Sequence, residues 1–290
     1  MKFARVCRPI DMTYVSPLGA ACANQTPRNS RASAAAEAAG WWPRSCSCCP
    51  VVARVLVIVP AFNEAASLPF VLERVRAGGW QDICVIDDGS TDDTAGIASS
   101  HGAVVLRCPI NLGIGGAVQT GYLWARERGY DAAVQIDGDG QHDPAFVAAV
   151  LEPILRGQAD IVIGSRFRLG GGFRSTRLRR IGIRYLAWLL RLRCGARVSD
   201  PTSGFRATGR RAIELFARNY PSDYPEPEAI ALARGAGLRL SEAPVRMEPR
   251  RHGVSSIDSV RTLYYLIKVS FAVLIAPGPR SSREGAARVA

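Results

Sequence analysis

An α/β fold built on a mostly parallel, doubly wound sheet is what this 290-residue sequence predicts, and three observations predict it. Short β-branched runs recur along the chain, helix-length stretches separate them, and polar residues collect where the runs end. The runs are RVLVIVP (54–60), DICVIDD (82–88), AVVLRC (103–108), DAAVQID (131–137) and DIVIGS (160–165), each closed by a turn signal. Helices are expected between them at 65–77, 92–100, 115–128 and 144–156. Strands alternating with helices of this length form βαβ units and a parallel sheet. In such sheets ligands bind beyond the C-terminal ends of the strands.

Composition bounds the rest. With 48% hydrophobic and 21% charged residues, the chain can form one large domain or two modest ones. Residues 1–53 mix Ala, Ser, Pro, Arg and Cys without periodicity and read as a disordered leader; a translation start at Met12 or a later codon is the alternative. Five of the eight cysteines fall in the first fifty residues. CSCC at 46–49 has no matching second pair, so neither a zinc site nor a disulfide framework is expected, and a reducing compartment is. No apolar h-region marks a signal peptide. No run of 18 uninterrupted apolar residues marks a membrane span. The Pro-, Gly-, Ser- and Arg-rich segment 277–290 reads as a frayed tail.

The strand ends carry the chemistry. The first run ends in PAFNE (60–64), the second in DDGSTD (87–92) and the fourth in DGDGQH (137–142). A single acidic pair after a strand is often only a helix cap or an Asx turn, but three polar clusters at three ends of one sheet converge on one crevice. Asp137 and Asp139 sit two residues apart in a chain of net charge +12, and two like charges together are unfavourable unless something positive lies between them. An EF-hand loop starting at Asp137 needs Gly sixth and Glu twelfth, where His142 and Ala148 stand. A phosphatase-type D-x-D-G-T fits DGDGQ poorly. G-x-G-x-x-G from Gly113 would need Gly in place of Val118, so NLGIGGAVQTG (111–121) is a Gly-rich turn opening a helix. A metal-assisted diphosphate site remains. Two carboxylates and an amide oxygen suit Mg²⁺ or Mn²⁺, with phosphate oxygens and water completing the shell.

PAFNE, DDGSTD, DGDGQH, GSRF (164–167), DPTSGFR (200–206) and YPEPE (224–228), in this order, resemble an inverting glycosyltransferase of family 2 with the GT-A fold. Among these the polyprenol-phosphate sugar synthases, of the dolichyl-phosphate mannosyltransferase type, are the most similar group. The resemblance covers roughly 54–275. It implies that Pro60, Ala61, Asn63 and Glu64, with Asp87 or Asp88, line the pocket of a nucleotide-sugar donor, and that Asp137, Asp139 and Gln141 hold the metal. It further implies that Arg166 and Arg206 meet phosphate or acceptor, with Asp200 and Ser203 near the acceptor. A GT-A domain is thus expected over 54–255 and a C-terminal amphipathic helix over 256–276. The multi-span membrane domain of some relatives has no counterpart in the sequence, so an integral-membrane partner is among the partners implied.

Between Arg166 and Arg197 lie ten arginines and no acidic residue, wrapped around IGIRYLAWLLRL (181–192). On a helix Arg177, Arg180, Arg184 and Arg191 fall near one side and Ile181, Tyr185, Trp188, Leu189 and Leu192 on the other. One reading is a helix packed on the sheet with a solvated basic face. Nucleic acid is not expected, since no known binding motif accompanies the arginines. A basic helix with Trp and Leu opposite the charge reads as binding an anionic membrane surface, which places the protein peripherally on the cytoplasmic face of the plasma membrane. The segment 263–276, interrupted by Lys268, is too short to span a bilayer comfortably.

The expected activity is therefore metal-dependent transfer of a sugar from a GDP- or UDP-linked donor to a polyprenyl phosphate. Transfer to a glycan hydroxyl and non-catalytic nucleotide-sugar binding are the alternatives. A hydroxyl acceptor needs a positioned base, for which Glu226, Glu228 and Asp200 are the candidates outside the metal site. A phosphate monoester is already largely dianionic at neutral pH and needs cations instead, so Glu226 and Glu228 are expected to act mainly on the structure of an acceptor loop.

Overall fold

The computed structural model describes residues 53–168, 177–248 and 259–275. Its strands are β1 (Val55–Ala61), β2 (Ile83–Asp87), β3 (Val104–Arg107), β4 (Ala132–Gln135), β5 (Ile161–Ser165), β6 (Arg206–Gly209) and β7 (Leu240–Pro244). Its α-helices are α1 (Leu68–Ala77), α2 (Thr94–Ser100), α3 (Gly113–Glu127), α4 (Val147–Leu155), α5 (Arg177–Cys194), α6 (Arg210–Arg218), α7 (Pro225–Gly235) and α8 (Ser259–Ile275). All seven strands join one sheet in the order β3-β2-β1-β4-β6-β5-β7. β1 pairs in parallel with β2 and β4, β2 with β3, and β5 with β7. Only β6 runs antiparallel, to both of its neighbours.

The five β-branched runs became β1 to β5, and the four intervening stretches became α1 to α4. Alternate strand residues point to opposite faces of a sheet, and both faces here are covered. Leu56, Ile58, Cys84 and Ile86 pack with α3, α5, α6, α7 and α8. Val57, Val59, Ile83 and Val85 pack with α1, α2 and α4. That two-sided burial is why the strands read as continuous apolar runs. Each fully buried Val, Leu or Ile contributes about 1.5–3 kcal/mol.

β6 and β7 escape the periodicity. RATG offers no apolar run, and it is a strand because it is paired on both sides, Arg206 lying in register with Gln135 and with Ile163. Its reversal has one consequence for the site. The residues leading into an antiparallel strand lie at the edge where the parallel strands end, so DPTSGFR emerges beside DGDGQH and GSRF.

The arginine-rich helix meets the core through a stripe that the sequence did not single out. Ile183, Leu186, Leu189 and Leu190 are buried. Of the expected apolar cluster only Leu189 is among them, while Ile181, Tyr185, Trp188 and Leu192 are exposed. α8 behaves alike: Val269 and Val273 are buried, and Ile267, Phe271, Leu274 and Ile275 face outward. The outward face of α8 is thus apolar rather than polar. The helices touch through Tyr185 Oη and Ser270 Oγ at 3.1 Å, and through Arg193 Nε donating to Leu274 O at 3.0 Å. No helix of the described residues is long and apolar enough to cross a membrane. The expected leader, bar Ala53, the CSCC cysteines and the expected tail lie outside the described residues. Cys84, Cys108 and Cys194 are free and buried.

Asp160 ties three elements together at the far edge of the sheet. It accepts from Arg239 N at 2.8 Å and Arg239 Nε at 3.1 Å, and Arg211 Nη1 lies 3.3 Å away. Burial alone would raise its carboxyl, but the hydrogen bonds from Arg239 and the Arg211 and Arg239 charges outweigh it and hold the pKa below the ordinary value. A depressed carboxylate contributes stability above its unfolded pKa and loses it as pH falls through the folded one. Asp160→Asn is expected to cost about 1–3 kcal/mol at pH 7 in urea unfolding. The gap to the parent protein should shrink below about pH 4.

Candidate active site

The crevice opens where β1, β2, β4 and β5 end. PAFNE leaves β1 through Asn63, held at φ 55°, a left-handed conformation that Asn tolerates better than most residues. Its Oδ1 accepts from Thr91 N at 2.8 Å and its N–H donates to Ser90 Oγ at 3.0 Å, binding PAFNE to DDGSTD. Glu64 N donates to Thr94 Oγ1 at 3.0 Å. Pro60 and Ala61 are buried in the last part of β1. The β4 end is fastened to the same segment: Ser67 Oγ donates to Gly138 O at 2.8 Å. A Cβ on Gly138 would stand 3.3 Å from Pro60 O.

The Asp87–Asp88 pair divides. Asp88 accepts from Leu112 N at 2.7 Å and Gly113 N at 2.9 Å, so it caps the start of α3. Burial raises its pKa, with those two bonds opposing and the Asp87 charge adding to the rise. Asp87 is fully buried, and its Oδ1 accepts from Ser90 N at 2.9 Å. Its Oδ2 makes no hydrogen bond, although Arg107 Nε stands 3.2 Å away. Asp87 thus has one oxygen outside any hydrogen bond, beside Arg107, whereas both Asp88 oxygens accept backbone N–H groups. In the first turn of α3 another chain segment comes close: a Cβ on Gly115 would lie 2.2 Å from both Pro221 O and Ser222 O.

In DGDGQH, Asp137 is partly exposed, and its Oδ1 accepts from Gln135 Nε2 at 3.2 Å. No lysine or arginine of the described residues forms an ion pair with it, and the His142 ring lies beside it, with Nε2 3.6 Å from Asp137 Oδ2. Asp139 is buried and its Oδ1 accepts from Gln141 N at 2.9 Å, across a turn in which Gly140 holds φ 76°. Gln141 is partly exposed, and its carbonyl accepts from Glu248 N at 2.9 Å. Among the described residues no three His, Cys, Asp or Glu cluster to hold a metal. Two carboxylates and an amide oxygen fit a hard cation that takes its remaining oxygens from phosphate and water, as Mg²⁺ does in phosphate sites.

The opposite wall is basic. Arg166 leaves the end of β5 and pairs with the fully buried Asp200, Nε to Oδ2 and Nη2 to Oδ1, both at 2.6 Å. Nη2 also donates to Thr202 Oγ1 at 2.8 Å. Asp200 is in turn oriented by Glu242 of β7, which accepts from Asp200 N at 3.0 Å and Ser199 N at 2.7 Å and meets Arg168 Nε at 3.2 Å. Arg206 is 2% exposed and donates from Nε to Ser203 O at 2.8 Å and from Nη2 to Pro201 O at 3.3 Å. Its guanidinium braces the DPTSG turn from inside. Ser203 is fully buried, and its Oγ has no hydrogen-bond partner.

YPEPE forms the N-terminal turn of α7, where Glu226 and Glu228 suit the positive end of the helix. Burial raises the Glu226 carboxyl; the Arg206 charge opposes this and the Asp137 charge adds to it. The loop thus faces both walls. Glu228 is raised by burial and then by Asp223. Tyr224 packs edge-on to Tyr265 at 4.7 Å, and Lys268 pairs with Asp223, clasping the loop to α8. Arg179 is held below the ordinary arginine value by burial and by the Arg166 charge. Sequence reasoning assigned no role to Glu242, because SEAP carries no motif signal, or to His142, although it stands within the quoted DGDGQH.

A crevice with carboxylates on one wall and arginines on the other, at the ends of a mostly parallel sheet, suits an enzyme of the nucleotide-sugar-binding glycosyltransferase class. The profile of glycosyl transferase family 2 matches residues 56–216. The chain is 35% identical over 215 residues to the undecaprenyl-phosphate mannosyltransferase of Micrococcus luteus, covering 71% of this chain and 88% of that protein. It is 31% identical over 228 residues to the polyprenol monophosphomannose synthase of Mycolicibacterium smegmatis, covering 75% and 86%. In fold it is similar to glucosyl-3-phosphoglycerate synthase of Mycobacterium tuberculosis in complex with Mn²⁺, UDP-glucose and phosphoglyceric acid. The TM-score is 0.62, with 22% identity over 78% of this chain and 81% of that one. The chain belongs to glycosyl transferase family 2, and its fold is GT-A.

Gly204 is where the two walls touch. A Cβ there would lie 3.2 Å from Asp137 Oδ2 and 3.3 Å from Gln135 Nε2, so a methyl would press on the carboxylate. Gly204→Ala is expected to lower stability by about 1–3 kcal/mol and to reduce sugar transfer by roughly tenfold or more, as 1 Å misplacements do. Thermal unfolding and a transfer assay on the same preparation check both.

Proposed function

We propose that this enzyme transfers a sugar from a nucleoside diphosphate sugar to a polyprenyl phosphate, inverting the anomeric carbon. The observation that carries the acceptor assignment is a groove of about 700 Å³ beside the Arg166–Asp200 pair. Arg180, Arg184, Arg191 and Arg197 line it together with Ile183 and Trp188. Cations interleaved with apolar and aromatic side chains suit a ligand with a phosphate head and a hydrocarbon chain. The names of the two mannosyl-transferring relatives support the same reading.

On the donor side, Asp87, Asn63 and Glu64, with the Pro60–Ala61 backbone, would face the nucleotide. Asp137, Asp139 and Gln141 would hold Mg²⁺ or Mn²⁺, which supplies charge neutralisation for the departing diphosphate. On the acceptor side, a dianionic phosphate is nucleophilic without a base. Arg166, with Arg179 and Arg180, would hold it beside the donor carbon, while Arg206 keeps the Ser203 turn in place. Transfer to a hydroxyl remains a second reading. The raised pKa of Glu226, near both walls, favours it, because a carboxylate of that kind is a better base.

Transfer into organic-extractable lipid, measured from pH 6 to 9, separates the two readings. Glu226→Gln should lose no more than about tenfold, Arg206→Ala should lose far more, and Arg184→Ala should raise KM for the lipid phosphate more than KM for the donor. A loss of several orders of magnitude in Glu226→Gln, with Arg206→Ala active, would establish a hydroxyl acceptor and sink the lipid-phosphate reading.

The exposed apolar faces of α5 and α8, flanked by arginines, support a peripheral site of action on an anionic membrane surface. Each basic residue near an anionic leaflet contributes about 1 kcal/mol, so roughly four to six would hold the enzyme there reversibly. The protein should sediment with anionic liposomes at low salt and be released as salt screens the attraction, within about 10 Å at 0.1 M. Failure to bind at low salt would remove the membrane from the proposal.

A further inference from the structure

One buried imidazole, at the end of DGDGQH, holds the Asp137 segment by contacts that the mechanism above does not use. His142 is 3% exposed. Its Nδ1 accepts the Asp137 backbone N–H at 3.0 Å, which leaves the ring proton on Nε2. That Nε2 lies 3.6 Å from Asp137 Oδ2, beyond hydrogen-bond length but close enough for its N–H dipole to bias the carboxylate.

The ring itself is held on two further sides. It stacks on Phe205 of DPTSGFR with centroids 5.1 Å apart and planes 17° apart. The His142 backbone pairs with Met247. The segments flanking that pairing are clamped by Arg74, which meets Asp143 at 2.7 Å and Glu248 at 3.0 Å. Asp137 is otherwise bounded by Gln135 on Oδ1 and by the bare face of Gly204. A partly exposed carboxylate on a turn would ordinarily sample several rotamers. Here the Asp137 backbone is bonded to a side chain that is buried and stacked on Phe205.

We propose that His142 is a positioning residue that fixes Asp137 in the orientation needed to hold a divalent cation, an inference that rests on the metal reading given above. Groups that orient metal-holding side chains typically contribute 10–100-fold to affinity.

The experiment measures Mn²⁺ affinity in the presence of UDP or GDP, by the electron paramagnetic resonance of free Mn²⁺, with thermal unfolding in parallel. His142→Phe keeps a ring to stack on Phe205 but offers no acceptor. His142→Asn removes the ring and keeps an amide oxygen near the position of Nδ1. The expected result is that His142→Phe binds Mn²⁺ at least tenfold more weakly while His142→Asn stays within about threefold of the parent, with transfer by His142→Phe partly restored at high Mn²⁺. Parent-like affinity in His142→Phe overturns the inference, as does an equal loss in His142→Asn, which would mark the ring stack as the contribution. Should His142→Phe fail to fold, His142→Asn against His142→Ala decides: a tenfold gap supports the role and equal affinity overturns it. If the parent protein binds no Mn²⁺ with either nucleotide, the metal reading itself fails and takes this role with it.

Discussion

The buried ion pair between Arg166 and Asp200 is the contact on which the basic wall of the crevice depends. Removing two charges from water costs several kcal/mol per ion, and only good geometry with further hydrogen bonds offsets it. Both conditions are met here. The pair is bidentate, Thr202 takes another guanidinium proton, and Glu242 fixes the Asp200 backbone from β7. Asp200 is thereby committed to holding an arginine in place. A carboxylate in a short bidentate pair is poorly suited to accept a proton from a substrate, which leaves Glu226 as the better-placed base among the residues first considered for that task.

The two walls carry opposite charge for a reason that follows from topology. β1, β2 and β4 deliver Asn63, Glu64, Asp87, Asp137 and Asp139. β5 and the approach to β6 deliver Arg166, Asp200 and Arg206. The antiparallel course of β6 inserts it between β4 and β5, so the carboxylate wall and the arginine wall meet at one seam. Gly204 sits on that seam, and it is bare because a side chain there would strike Asp137. The proposed donor diphosphate with its cation and the proposed acceptor phosphate with its arginines would then lie side by side.

A third element links the crevice to the outer surface. The YPEPE turn senses Asp137 and Arg206 through the Glu226 charge, packs its approach against the start of α3 at Gly115, and is held to α8 through Tyr224–Tyr265 and Asp223–Lys268. The outward residues of α8 are apolar. The acceptor-side loop and the surface proposed to meet lipid are therefore neighbours in one packed unit.

Much of this was legible in the sequence. The β-branched runs at 54–60, 82–88, 103–108, 131–137 and 160–165 determine their strands because residues buried on both faces of a parallel sheet need no partner information to be recognised. The motifs at their ends determine the crevice, since a doubly wound sheet places all such ends on one edge. The sequence did not reveal β6, whose RATG is a strand only through pairing on two sides. It left Asp87 and Asp88 equivalent, though Asp88 caps α3 and Asp87 pairs with Arg107. It left open which stripe of α5 meets the core, because a helix apolar on most of its circumference does not declare it. It was silent on Glu242 and on His142. Periodicity and local motifs are properties of neighbours along the chain, and these last assignments depend on contacts such as Asp88 with Leu112, Asp200 with Glu242 and His142 with Phe205, which only the folded arrangement brings together.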